Sequence, residues 1–154
     1  MEALHMISLD DGKFLLKLHH VYNASIDRVF QAWTKKEQLE QWWGLTDFTT
    51  TVEQMDVTVG GSYIFHMEAP NGSIHTLAGH YVEIVPNKKL SFTWKWVNEG
   101  ASAEETLVTI GFVEKGGKTE LIITHSKFST MQAAKRHNNN WTHALEGGLC
   151  SYLH

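Results

Sequence analysis

Residues 79–96 read GHYVEIVPNKKLSFTWKW, two strand-forming runs joined by Pro86-Asn87-Lys88. In the second run Leu90, Phe92, Trp94 and Trp96 alternate with Ser91, Thr93 and Lys95. That period of two puts one face of a strand on a core and the other in water. A connection this short joins antiparallel neighbours, because parallel strands need a crossover of about a dozen residues or more. The resulting sheet has a strongly aromatic face that something else in the chain must cover.

The same pattern extends in both directions. Strands are predicted over Thr51–Asp56, Ser62–Glu68, Ser73–Val85, Lys89–Val97, Glu105–Glu114 and Lys118–Phe128. The breaks between them are Val59-Gly60-Gly61, Pro70-Asn71-Gly72, Pro86-Asn87-Lys88, the polar loop Asn98–Ala103 and Lys115-Gly116-Gly117. Phe14–Tyr22 reads as the first strand. Asn23-Ala24-Ser25 then offers cap residues to a helix whose face is Ile26, Val29, Phe30 and Trp33. Thr34-Lys35-Lys36-Glu37 has the form of a capping box, which restarts the chain as a second short helix through Leu39, Trp42 and Trp43. Adjacent residues on a helix lie about 100° apart, so the two indoles have separate tasks. Trp42, three residues after Leu39, is expected to anchor the helix on the core and Trp43 to point toward a cavity mouth, with Gly44 supplying the unusual backbone that ends the helix.

The cover for the sheet is the last segment. Ser129-Thr130-Met131-Gln132 is a second capping-box pattern, and Ala134, His137, Trp141, Leu145, Leu149 and Leu153 recur three or four apart, as one stripe of a helix does. Gly147-Gly148 weakens that helix by about 1 kcal/mol each relative to alanine, so the pair either admits a close approach to the sheet or marks a kink. The order of elements describes an α+β chain. It has a curved antiparallel sheet of about six strands wrapped around a long C-terminal helix, with two short helices between strands one and two. A length of 154 residues points to a single domain, 1–154, with its core in about 13–153.

Composition narrows the function. With 42% hydrophobic and 19% charged residues, a net charge of −4 and no basic block, nucleic acid is not an expected partner. No run approaches the roughly 20 apolar residues of a membrane span, and the N-terminus lacks the basic-then-apolar order of a secretory signal. A lone cysteine, Cys150, provides neither an intrachain disulfide nor a zinc pair. It reads as a small buried hydrophobe in a cytoplasmic protein.

Ten histidines raise metal and acid–base chemistry. Alternation puts His80 with Val82 and Ile84, and His125 with Leu121 and Ile123, on faces turned to the helix stripe that carries His137. These three are the candidates for catalytic work, with Glu83 and Glu120 as possible partners, although both carboxylates fall on the opposite strand parity. No close-spaced ligand pair of the HExxH kind occurs, so neither a metal nor a cofactor is expected. No G-x-S-x-G elbow is present, and the paired glycines precede strands instead of a helix start, so they punctuate hairpins and hold no phosphate.

The aromatic residues make the stronger case. Trp33 and Trp43 are expected near a mouth. Phe65, Met67, Phe92, Trp94, Trp96, Phe112, Trp141 and Leu145 are expected to line the space between sheet and helix, together with His80, His125 and His137. They compose either a filled core or a cavity. Indoles are rigid and carry an N–H that needs a partner, which makes them hard to close-pack and favours a cavity with a few polar groups.

The stretches VFQAWTKKEQLEQWWG (29–44), VGGSYIFHMEAPNG (59–72), GHYVEIVPNKKLSFTW (79–94), VTIGFVEKGGKTELIITHSKF (108–128) and HNNNWTHALEGGL (137–149) resemble the START-like, helix-grip superfamily. Within it they are most similar to the branch named for activator of heat-shock-protein-90 ATPase homologues. The chain departs from that pattern at Lys35-Lys36, Thr58-Val59, Leu45 and Asn140, where the branch often has Asp-Pro, Arg-Pro, Pro and Gly. The resemblance implies the helix-grip fold and three functional classes. These are a binder of a small apolar, aromatic or lipid-like molecule, an interaction module that modulates a chaperone ATPase, or a cyclase or hydrolase working through cavity histidines. Binding is the expectation, in a monomer or a homodimer.

Overall fold

Each predicted hairpin closes where its turn residues allow. The structure is a computed structural model that describes residues 4–97 and 104–154. The polar loop expected at Asn98–Ala103 lies outside the described residues. Eight strands form: β1 (Leu4–Asp10), β2 (Lys13–Tyr22), β3 (Thr49–Met55), β4 (Ser62–Glu68), β5 (Ile74–Val85), β6 (Lys89–Trp96), β7 (Thr106–Lys115) and β8 (Lys118–Phe128). They make one curved sheet in the order β1-β2-β8-β7-β6-β5-β4-β3, with every pairing antiparallel. β3 to β8 are a continuous meander, and β2 closes it by pairing with β8.

The eight strands exceed the expected six or so: all seven runs read as strands form, and β1 is an eighth that was not anticipated. Its signal is Asp11-Gly12, the two-residue loop between the paired Asp10 and Lys13, with φ of 50° and 78°. Positive φ at both positions is what a tight hairpin turn demands, and Asp-Gly is among its preferred sequences. β1 is an edge strand, with Met6 and Leu9 exposed.

A bulge between Tyr81 and Glu83 in β5 overturns one expectation of facing. Up to Tyr81 the strand alternates regularly, with Leu77 and Tyr81 inward and His80 and Val82 exposed. The extra residue that follows breaks the period of two, so His80 does not share a face with Ile84, which pairs with the buried Leu90.

Two short helices, α1 (Ile26–Thr34) and α2 (Lys36–Trp42), lie between β2 and β3. Ser25 caps α1, its hydroxyl oxygen accepting from the Arg28 amide at 3.3 Å. The expected capping box at Thr34 does not form. Thr34 completes the last turn of α1 and donates its hydroxyl to the Phe30 carbonyl (2.9 Å), leaving Lys35 to open α2 without a side-chain cap. α2 ends at Trp42, Trp43 is extended, and Gly44 reverses the chain with a φ of 96°.

The C-terminal helix runs from α3 (Met131–His143) through a π-helical segment, Ala144–Leu149, into α4 (Cys150–Leu153). Its cap is shifted one residue from the expected Ser129. Thr130 accepts from the Ala133 amide at 3.1 Å, and Ser129 is engaged by the Glu104 carboxylate. The stripe Ala134, His137, Trp141, Leu145, Leu149 and Leu153 is buried throughout. Gly148 does permit a close approach, though to α2 and not to the sheet: a Cβ there would stand 2.4 Å from the Trp42 carbonyl oxygen. A π turn displaces the backbone ladder, and the Leu145 carbonyl accepts from the Tyr22 hydroxyl at 2.8 Å. Cys150 is half-buried and not wholly inside, with Sγ 3.4 Å from His154 Nδ1. Among the described residues no helix is long and apolar enough to cross a membrane.

Candidate functional site

The space between sheet and helix has two ends. At the inner end Phe92 of β6 meets Tyr63 edge-on at 5.6 Å and Tyr81 at 6.1 Å, under Trp33 and Leu39 from the short helices. That end is nearly full, with about 10 Å³ left between side chains. At the outer end a partly open cavity of about 300 Å³ remains.

Five segments build this cavity. β6 supplies Trp94 and Trp96, spaced two apart on its inward face, and β4 supplies Met67. From the C-terminal helix come two adjacent stripes, His137 with Trp141, and Arg136 with Asn140 and Ala144. The turn after α2 adds Trp43, Gly44, Leu45 and Phe48, and His75 of β5 completes the wall. Hydrogen bonds fix the turn in place. Thr50 donates to the Trp43 carbonyl (2.6 Å), and the Thr46 amide donates to His143 Nε2 (3.2 Å).

Trp42 and Trp43 divide their work. Trp42 is buried, donates Nε1–H to the Ala32 carbonyl (2.9 Å) and packs edge-on against Trp33 at 4.7 Å. Trp43 lies within the wall and not at the mouth, with only 7% of its surface exposed and its ring 5.7 Å from Trp141 and 5.9 Å from Trp94. Rigid indoles in such a cluster leave donors unmatched: Trp33 and Trp94 each bury an Nε1–H with no acceptor among the described residues.

Two histidines stand behind the wall with their ring centroids 5.2 Å apart. Trp141 donates Nε1–H to His125 Nδ1 at 3.0 Å, so the His125 proton resides on Nε2, which donates to the Thr106 hydroxyl at 2.7 Å. Trp96 donates to His137 Nε2 at 3.1 Å, and His137 Nδ1–H donates to the Ala133 carbonyl at 2.8 Å. An indole donor therefore holds each ring in one neutral tautomer. Complete burial, reinforced by the nearby His137, keeps His125 well below the ordinary histidine range.

Of the residues expected to line one space, Trp43, Met67, Trp94, Trp96, His137 and Trp141 do so. Trp33, expected near the mouth, is buried at the inner end beside Phe65 and Phe92, because α1 packs on the closed half of the sheet. Phe112 lies under α1, edge-on to Phe30 at 5.1 Å. Leu145 is wholly buried outside the cavity wall, and His125 is shielded by Trp94 and Trp141. His80 sits on the outer face with its Nδ1 3.3 Å from the Thr93 hydroxyl, so it does not join the other two histidines. Neither carboxylate considered as a partner reaches them. Glu83 pairs with Lys89, and Glu120 with Lys115 and His19. Among the described residues no three His, Cys, Asp or Glu side chains gather as metal ligands would.

Sequence reasoning missed Leu45, Phe48, His75, Arg136, Asn140 and Ala144. Arg136, Asn140 and Ala144 had a readable signal, since they run four apart one position before the inward stripe and so widen the helix face that meets the sheet. Leu45 and Phe48 lie in a loop with no periodicity to read.

This architecture has close relatives. The family model described as activator of Hsp90 ATPase homolog 1-like protein matches residues 23–154, and the chain belongs to that family. A protein from Chromobacterium violaceum shares the fold with a TM-score of 0.83 at 24% identity, over 90% of this chain and 96% of that one. A protein from Arthrobacter aurescens gives 0.83 at 23%, over 96% and 90%. An AHSA1 protein from Silicibacter pomeroyi gives 0.79 at 23%, over 90% and 96%. A search of the curated proteins finds no match.

Proposed function

We propose that this chain binds a small, largely apolar molecule, aromatic in preference to a long lipid, in the cavity between Trp43, Trp94, Trp96 and Trp141. The observation that carries this reading is the cavity itself. Four of the six tryptophans line one space of about 300 Å³ that side chains leave open, while the opposite end of the same core is full. Small-molecule sites occupy roughly 300–1,000 Å³ and combine an apolar lining with a few polar groups. A volume at the lower limit suits one or two rings or a short acyl chain.

Binding is favoured over turnover by the state of His125 and His137, and His75 on the wall has no carboxylate beside it among the described lining residues to complete an acid–base pair. Acid–base catalysis needs a ring nitrogen within reach of substrate. Both nitrogens of His125 and of His137 are occupied by Trp141, Thr106, Trp96 and the Ala133 carbonyl. A ligand against four indoles will quench tryptophan fluorescence, and one that binds only the folded chain will raise Tm with concentration. A panel of one- and two-ring compounds and fatty acids that produces neither change would refute the proposal.

A further inference from the structure

Among the described residues the cavity wall holds one side chain of permanent charge, Arg136. We infer that the ligand is a small aromatic anion whose carboxylate is held at the cavity mouth by Arg136. This inference rests on the reading of the cavity as a ligand site and adds the chemical class of what enters it.

The chain has two arginines, and they are used differently. Arg28 is spent on the fold: it donates to the Tyr152 carbonyl at 3.0 Å, and its guanidinium lies 5.3 Å from the centre of the Tyr152 ring. Arg136 is exposed, and its guanidinium makes no ion pair or hydrogen bond with any of the described residues. Among the described residues no carboxylate lines the cavity to neutralise it. In a protein of net charge −4, the one full charge that the described residues place on this wall is positive, the reverse of the global sign. Asn140 stands four residues further along α3, so its amide projects from the same helix face. His75 faces the same space from β5 with its ring 5.8 Å from Phe48. Guanidinium, amide and imidazole together offer N–H donors above an indole-lined floor. A guanidinium matches a carboxylate in a planar, two-pronged geometry, and the indole faces below take a flat ring. A neutral apolar ligand would leave that guanidinium unused, and a cation would meet it with repulsion.

Titrate the intact chain with 2-naphthoate and with its uncharged counterpart 2-naphthamide, following tryptophan fluorescence at low salt. Wild type should bind the carboxylate about tenfold or more tighter, as a charge-assisted pair allows. In Arg136→Gln that preference should vanish, the carboxylate losing about tenfold more affinity than the amide, with Tm unchanged. Arg136→Lys should retain part of the preference, since the charge survives without the planar fork. Equal affinity of wild type for the two probes overturns the anion inference and leaves the cavity reading intact. A preference that persists in Arg136→Gln overturns the assignment to Arg136. Absence of binding by both probes overturns the cavity reading, and this inference with it.

Discussion

The two ends of the sheet–helix space are both aromatic, yet one is full and the other open. At the inner end Tyr63, Tyr81 and Phe92 interleave with Leu39 and Leu90, and the Tyr63 hydroxyl donates to the Thr93 carbonyl at 2.5 Å. At the outer end Trp94, Trp96 and Trp141 meet Met67 and Ala144, and about 300 Å³ stays empty. Aromatic content alone therefore does not decide whether a core closes. Leucines adapt their rotamers between flat rings, and single-ring aromatics can place a hydroxyl on a nearby carbonyl. Bicyclic rings fixed by N–H bonds to His125 and His137 cannot shift to fill a gap.

Truncation separates the two ends most strongly. Phe92→Ala removes a buried ring from the closed end and should cost about 3–5 kcal/mol of stability. Trp96→Ala acts at the open end, where the indole is half-exposed and water can reach the His137 nitrogen it leaves. It should cost about 1–2 kcal/mol. Denaturant titration of both variants checks the contrast, and equal costs would break it.

Protonation is a smaller lever, acting behind the open end. His125 is neutral in the folded chain because burial disfavours its charged form. Below the unfolded value of about 6.5 the unfolded chain takes up a proton that the native ring refuses. Stability should therefore fall with acidification from pH 7 to pH 5, by up to about 1.4 kcal/mol per pH unit for this residue. His20, lowered in the same direction by burial, adds a separate slope. Thermal melts across this range should be flatter in His125→Gln than in wild type. An equally steep curve would show that the Trp141–His125–Thr106 contact does not hold the ring neutral.

The sheet and the helix stripe were legible because both follow a strict period. Strands β4 to β8 and the stripe from Ala134 to Leu153 lie close to where alternation and three-four spacing put them. What escaped was non-periodic. The β5 bulge put His80 and Ile84 on different faces, a single inserted residue that no alternation rule contains, so a reading that ran through it from Ile84 back to His80 failed. Thr34 closed its own helix instead of capping the next, a choice between two hydrogen bonds of similar strength. In the site, the tryptophans on β6 and α3 could be placed from spacing, whereas Leu45, Phe48 and His75 reach the cavity through loop path and strand register, which only the folded chain specifies. Trp43 shows the boundary most clearly. Its neighbour relation to Trp42 dictated that the two rings diverge, but Gly44 and the Thr50 hydrogen bond to its carbonyl decided that it became wall and not gate.

The smallest expected change in stability belongs to filling the open end, and it is also the most direct test of what the emptiness is for. Ala144 is 8% exposed, sits on the cavity wall, and ends the stripe that begins with Arg136 and Asn140. In Ala144→Phe a ring enters space that no described side chain occupies, so the overpacking penalty of about 1–3 kcal/mol met in a full core should be offset by newly buried apolar surface. The net change should lie within about 1 kcal/mol. Loss of ligand quenching with an almost unchanged Tm would identify the cavity as the site. A variant that binds as wild type does would place the ligand elsewhere, and one destabilised as much as Phe92→Ala would show that the two ends are packed alike.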